Sequence, residues 1–205
     1  MILSVYFEKF VIITWPSRKE LKTFSCFDNF VESDKLGSPV YSPDHGAIPH
    51  LNLILRNLLD ILNLEKSSLD KITVIGFSKG VVVLNQLVHE LADLASPDLL
   101  EGFSLHTFIW LDGGHNGGKD IYLTDKLILD KFSKFKINVS VRVTPYQIGN
   151  QLRPWIRKEE KLFRSILHNL NTRAERKCFF NDLEPSIESH FQILNTFLTD
   201  PIDFT

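Results

Sequence analysis

Short apolar runs rich in β-branched and aromatic residues alternate along this chain with longer stretches whose apolar positions recur every three to four residues. The runs VIITW (11–15, closed by Pro16), KITVI (71–75), FSLHTFIWL (103–111), INVSVRV (137–143) and RKCFF (176–180) predict five strands. Helices are predicted over 50–64, where Leu51, Ile54, Leu55, Leu58, Leu59 and Leu62 share one face, and over about 80–95, 121–135, 155–170 and 187–198. The span 33–49 (SDKLGSPVYSPDHGAIP) is dense in Gly, Pro, Ser and Asp and reads as a long loop, a kind of segment that often carries function.

Strands that alternate with helices pair in parallel, because a parallel neighbour is reached only through a crossover. The expected fold is therefore α/β, a mostly parallel sheet with helices on both faces, in a single domain over 1–205. In such sheets ligands sit outside the carboxyl ends of the strands, so chemistry is sought in the turn after each strand.

Composition narrows the function classes. With 205 residues, 43% of them apolar, the chain can bury one sizeable core. A formal charge of -2 offers no basic excess to neutralise phosphates, which argues against nucleic acid as a partner. No apolar run approaches the roughly 18 to 20 residues of a bilayer span. The opening MILSVYFEKFVIITW has neither a secretory cleavage site nor the Arg-rich character of a transit peptide and reads as structure. Cys26 and Cys178 lack both disulfide-framework numbers and zinc spacing, so reduced, buried thiols are expected. No metal-ligand cluster and no dinucleotide fingerprint is present, and no metal or cofactor is expected.

The candidate chemistry lies in KITVIGFSKGVVVLNQLVHEL (71–91). Gly76, Ser78 and Gly80 match G-x-S-x-G between a predicted strand and a predicted helix, where the turn is so tight that glycines must flank the serine. The bland reading is a glycine-rich strand-to-helix loop. A phosphate cradle would require G-x-x-x-x-G-K-[ST], which is absent.

A serine hydroxyl attacks only when a histidine takes its proton and an acid orients that histidine, and on this sheet type the order is Ser, acid, His. Among the later histidines, His89 lies on the elbow helix, His106 within a strand, and His168 on a polar helix face. His190, in PSIESHF just beyond the last predicted strand, is the candidate base; its bland reading is a half-buried residue at a helix start. Asp112, which ends FSLHTFIWLD and precedes two glycines, is the favoured acid; Asp182, in the same turn as His190, is the alternative, and an Asp that merely caps the GGHNGG turn is the bland reading. His115 reads as a turn residue that could line a pocket. The backbone N–H of Lys79 is the expected oxyanion donor. A second donor has no HGGG-like run to supply it, and Trp15–Arg18, after the first strand, is the nearest candidate border.

IGFSKGVVVLNQL, WLDGGHNGG, VTPYQI, RPWIRKE and PSIESHF, with FSCFDNFVES nearer the front, resemble in order the family of the protein encoded by chromosome 2 open reading frame 69. The resemblance runs from about residue 10 to 195. It implies an α/β-hydrolase-like fold, a mitochondrial location, and Ser78, Asp112 and His190 as the positions matching the family's triad. Members of that family usually carry a further amino-terminal segment with an FPG-type turn. Against that pattern this chain is expected to be amino-terminally shortened, without the first strands, the second oxyanion donor or a targeting peptide.

Two functions are therefore expected to compete. One is a serine hydrolase acting on a small-molecule ester, thioester or amide by acyl transfer. The other is a catalytically silent hydrolase-like scaffold that binds a protein partner.

Overall fold

The structure, a computed structural model, describes residues 3–7, 10–65, 71–94 and 103–196, with side chains from Thr14 onward. Four strands, β7 (Ile72–Phe77), β8 (Leu105–Leu111), β9 (Asn138–Val143) and β10 (Ala174–Cys178), pair in parallel in that order. This is the α/β sheet that the alternating pattern predicts, with boundaries shifted by one to two residues. Beyond β7 lies an antiparallel hairpin, β1 (Leu3–Phe7) and β2 (Phe10–Thr14), with β1 paired to β7. Only the second of these strands was expected. Glu8 and Lys9 separate them in sequence and carry none of the Gly or Asn signals that announce a tight hairpin.

Helices were expected on both faces, but their shares are unequal. The sheet grows in one direction, β7 to β8 to β9 to β10, and right-handed crossovers then deposit every connecting helix on one side. That face carries α1 (Ala47–Leu62), α2 (Val81–Asp93), α3 (Lys126–Ser133) and α5 (Pro154–Asn169), packed on Ile72, Val74, Phe108, Trp110, Val139, Val141 and Val143. The alternate residues Phe77, Ile109 and Leu111 point to the other face, where they meet Ile193 beyond the short α6 (Ile187–Gln192). Period-two alternation thus divides the core into one large and one small cluster. A further short helix, α4 (Pro145–Ile148), follows β9 directly.

Two predicted boundaries moved for the same reason, a distant carboxylate that collects backbone N–H groups. Helix α1 starts at Ala47 rather than His50 because buried Glu90 of α2 accepts from the N–H groups of Gly46 (2.9 Å), Ala47 (2.7 Å) and Ile48 (2.8 Å), and Pro49 is tolerated in a first turn. Helix α3 starts at Lys126 rather than Ile121 because Asp125 caps it through the N–H groups of Leu127 and Ile128. The N–H groups of Asp120, Ile121 and Tyr122 are held instead by Glu159 of α5, at 2.9, 2.9 and 3.3 Å.

The span 33–49 is not a plain loop. It contains all but the first residue of a small hairpin, β5 (Glu32–Ser33) and β6 (Pro39–Val40), preceded by another, β3 (Arg18–Glu20) and β4 (Phe24–Cys26). Cys26 and Cys178 are both free thiols; Cys26 is buried, as expected of both, whereas Cys178 is only half-buried. The predicted end of the last helix, 197–198, lies outside the described residues.

Candidate active site

The parallel strands bring their carboxyl ends to one edge, and the three sequence-predicted side chains all leave from that edge or from the segment after it. Ser78 follows β7, Asp112 follows β8, and His190 sits on α6, reached from β10 through the exposed turn 181–186.

The turn at Ser78 is strained in the manner the G-x-S-x-G pattern requires. Ser78 has φ +53°, a left-handed value costing a non-glycine residue roughly 1–2 kcal/mol. A single 3-10 turn, Ser78–Gly80, joins β7 to α2. The helix start comes so close to the strand end that a Cβ on Gly76 would lie 2.8 Å from both Gly80 O and Val81 Cα. Asp112 is strained as well, at φ +44°. Such outliers persist only where surrounding contacts fix them, and here they occupy adjacent strand ends.

Asp112 is fully buried. Its Oδ1 accepts from the N–H of Thr144 at 2.6 Å, and its Oδ2 accepts from the Thr144 hydroxyl at 2.8 Å and faces His190 Nδ1 at 2.7 Å. His190 is itself only 3% exposed. Its ring stacks on Phe77 (centroids 4.7 Å, interplanar angle 26°), with Tyr146 of α4 at 5.0 Å and Phe191 at 5.3 Å. The imidazole is thereby clamped beside the residue that immediately precedes Ser78. Its Nδ1 turned to the carboxylate leaves Nε2 on the opposite side of the ring.

The structure joins Asp112 to His190, whereas Asp182 is exposed in the turn and makes no such contact. It does not join Ser78 to His190, because the Ser78 hydroxyl makes no hydrogen bond among the described residues. The three remaining histidine alternatives lie elsewhere. His89 stacks on Tyr41, His106 contacts Thr107 and Asn138, and His168 is exposed.

Sequence reasoning missed Thr144 and the aromatic frame of Phe77 and Tyr146. Thr144 could have been found from its position, one residue past β9 and one before the Pro145 that opens α4. Trp15–Arg18 does not supply a second oxyanion donor. The Ser17 N–H and hydroxyl are both engaged by Cys26 O and the hydroxyl also by Asp28, while Arg18 pairs with Asp28 and Glu20. Trp15 and Ser17 line a different cleft of about 180 Å³ with Phe27, Phe30, His50 and Ile54, sharing no residue with the Asp112–His190 pair.

The Lys79 side chain turns away from solvent, with its ammonium donating to Gly37 O and to Asn116 Oδ1 (2.9 Å). Burial lowers its pKa, opposed by the longer-range attraction of Asp34 and Asp28. His115 is a structural residue of the GGHNGG turn. Its Nδ1 accepts from Gly117 N–H (3.0 Å) and its Nε2 meets Asp120 O (3.2 Å), so the turn is built around the neutral ring.

Burial moves the His115 pKa from 6.5 down to about 4. The unfolded chain therefore takes up this proton first as pH falls, and stability present above about pH 6.5 is lost on the way to about pH 4. Urea unfolding of the parent and of His115→Gln at several pH values should show a shallower acid decline in the variant; parallel curves would contradict this account.

With the geometry in place, comparison with known proteins gives the family. The C2orf69 family model matches residues 1–70 and 64–173. The chain belongs to the C2orf69 family. The mitochondrial protein C2orf69 homolog of Danio rerio is 36% identical over 197 residues, covering 88% of this chain and 58% of the relative. The corresponding proteins of Mus musculus and Homo sapiens are each 34% identical, again over 88% of this chain, and over 64% and 60% of their own lengths. The chain thus spans about three-fifths of these C2orf69 proteins, all of which are named as mitochondrial, and it is placed with them in the mitochondrion. No solved structure matches it.

Proposed function

We propose that the chain is a serine hydrolase with an α/β-hydrolase-type site, acting by acyl transfer on an ester, thioester or amide. The observation that carries this reading is the buried Asp112–His190 contact of 2.7 Å, its ring stacked on Phe77 immediately before a serine held at φ +53°. A carboxylate bonded to Nδ1 holds the imidazole with Nε2 unprotonated and ready to accept.

In the reaction, Ser78 Oγ rotates to Nε2, gives up its proton and attacks the acyl carbon. The imidazolium is stabilised by Asp112. The developing oxyanion faces the N–H of Lys79, at the amino end of α2, where the helix dipole adds positive potential. Collapse expels the alkoxide, thiolate or amine, which takes the proton back from Nε2. Water then repeats the sequence on the acyl-enzyme and frees the acid. The Ser78–His190 contact is open, and contacts of this kind tighten when substrate binds.

The test is to treat the chain with a fluorophosphonate probe and map the adduct by peptide mass spectrometry. A single phosphonyl group on the peptide containing Ser78 is expected. No adduct, or an adduct at other hydroxyls only, would remove the hydrolase reading and leave the partner-binding scaffold.

A further inference from the structure

The buried ammonium of Lys79 has no role in the mechanism above, which uses only that residue's backbone N–H. Its two acceptors, Gly37 O and Asn116 Oδ1, are uncharged, and no carboxylate among the described residues pairs with it directly. Burying an ammonium against neutral acceptors is costly, so a purely packing role would be better filled by an apolar side chain. The acceptors belong to one small device. In the turn between β5 and β6, Asp34 Oδ1 accepts from the N–H groups of Leu36 and Ser38, both at 2.8 Å, and Gly37 N–H donates to Asp34 O at 2.9 Å. Gly37 has φ +74°, and a Cβ there would stand 3.0 Å from Phe24 Cβ.

That turn presents consecutive carbonyls. Asn116 Nδ2 donates to Leu36 O (2.7 Å) and to Ser38 Oγ (3.1 Å), while Lys79 takes Gly37 O. Asn116 follows the strand end that carries Asp112, and Lys79 follows Ser78. The 34–38 turn is therefore fastened at once to the segments after β7 and after β8. On the other side of the same peptide chain, Ser78 O accepts from Gly114 N–H at 3.2 Å. The elbow is thus held from both sides, and its left-handed serine needs such holding.

We propose that Lys79 is a positioning residue: anchored on Gly37 and Asn116, its ammonium fixes the Ser78–Lys79 peptide so that the N–H points where the oxyanion forms. The 34–38 turn is then a strap that belongs to the site. This rests on the hydrolase reading.

The experiment uses the full chain and its Lys79→Met and Asn116→Leu variants. Fluorophosphonate labelling is measured against probe concentration to separate the limiting rate (kinact) from the half-saturating concentration (KI), and amide hydrogen exchange follows residues 36–38 beside the β7–β9 core. Misaligning one oxyanion donor should lower kinact by about tenfold to a hundredfold in Lys79→Met, with KI unchanged to within about twofold. The amides of 36–38 should exchange faster, with core protection retained. Should Lys79→Met not fold, Asn116→Leu decides, since it removes one acceptor of the ammonium and two of the three bonds that fasten the strap while leaving residue 79 intact. An unchanged kinact in a folded variant, or unchanged exchange at 36–38, overturns the inference alone. A parent chain unlabelled at Ser78 overturns the hydrolase reading and this inference with it.

Discussion

Replacing Ser78 by glycine should abolish covalent labelling and, in the same protein, raise the thermal midpoint. The first effect follows from loss of the hydroxyl. The second comes from the backbone. Ser78 occupies φ +53°, which costs a residue bearing a Cβ roughly 1–2 kcal/mol and glycine almost nothing. Against this, glycine adds unfolded-chain entropy of about 0.4–1 kcal/mol. The strain relief is the larger, so a net stabilisation of about 0.5–1 kcal/mol is expected, worth a few degrees for a chain of this size. Ser78→Ala supplies the control, because it removes the hydroxyl but keeps the Cβ and hence the strain. Calorimetry should rank Ser78→Gly above Ser78→Ala, with neither labelled. A glycine variant less stable than the alanine variant would show that the elbow is not strained, and would weaken the case that the left-handed serine is maintained for chemistry.

The parts of the site that were legible in sequence are those whose constraints are local. The elbow is one, because position 76, two residues before the serine, must lack a Cβ for the strand and helix to approach as closely as they do. Asp112 and His190 were legible through topology, as residues just past strands of a parallel sheet. Thr144 was legible only as a residue just past a strand; that it meets Asp112 depends on β9 lying beside β8, a pairing that no local pattern encodes. The strap was not legible. Its strands are two residues each, and its order comes from Lys79 and Asn116, respectively 42 and 80 positions from the carbonyls they hold. The unequal sharing of helices between the two faces escaped for a related reason. Hydrophobic period reveals that an element is a helix, whereas its face depends on the direction in which strands are added.

The sharpest discrimination between a working acid–base pair and a buried polar contact comes from Asp112→Asn. The substitution is nearly isosteric, and its carbonyl oxygen can still accept from Thr144 N–H at the Oδ1 position, where the present bond is 2.6 Å. The amide nitrogen must then take the Oδ2 position, facing His190 Nδ1. An NH2 group can only donate there, so Nδ1 becomes the acceptor and the ring proton moves to Nε2. That tautomer cannot take a proton from Ser78. Labelling should fall by about 10³–10⁴-fold, the scale on which a triad responds to loss of its orienting carboxylate. Thermal stability should fall far less than in Asp112→Ala, which would leave the Thr144 N–H and the imidazole unpartnered in a fully buried site. If Asp112→Asn folds and labels at the parent rate, the 2.7 Å contact is architectural, and His190 owes nothing of its basicity to it.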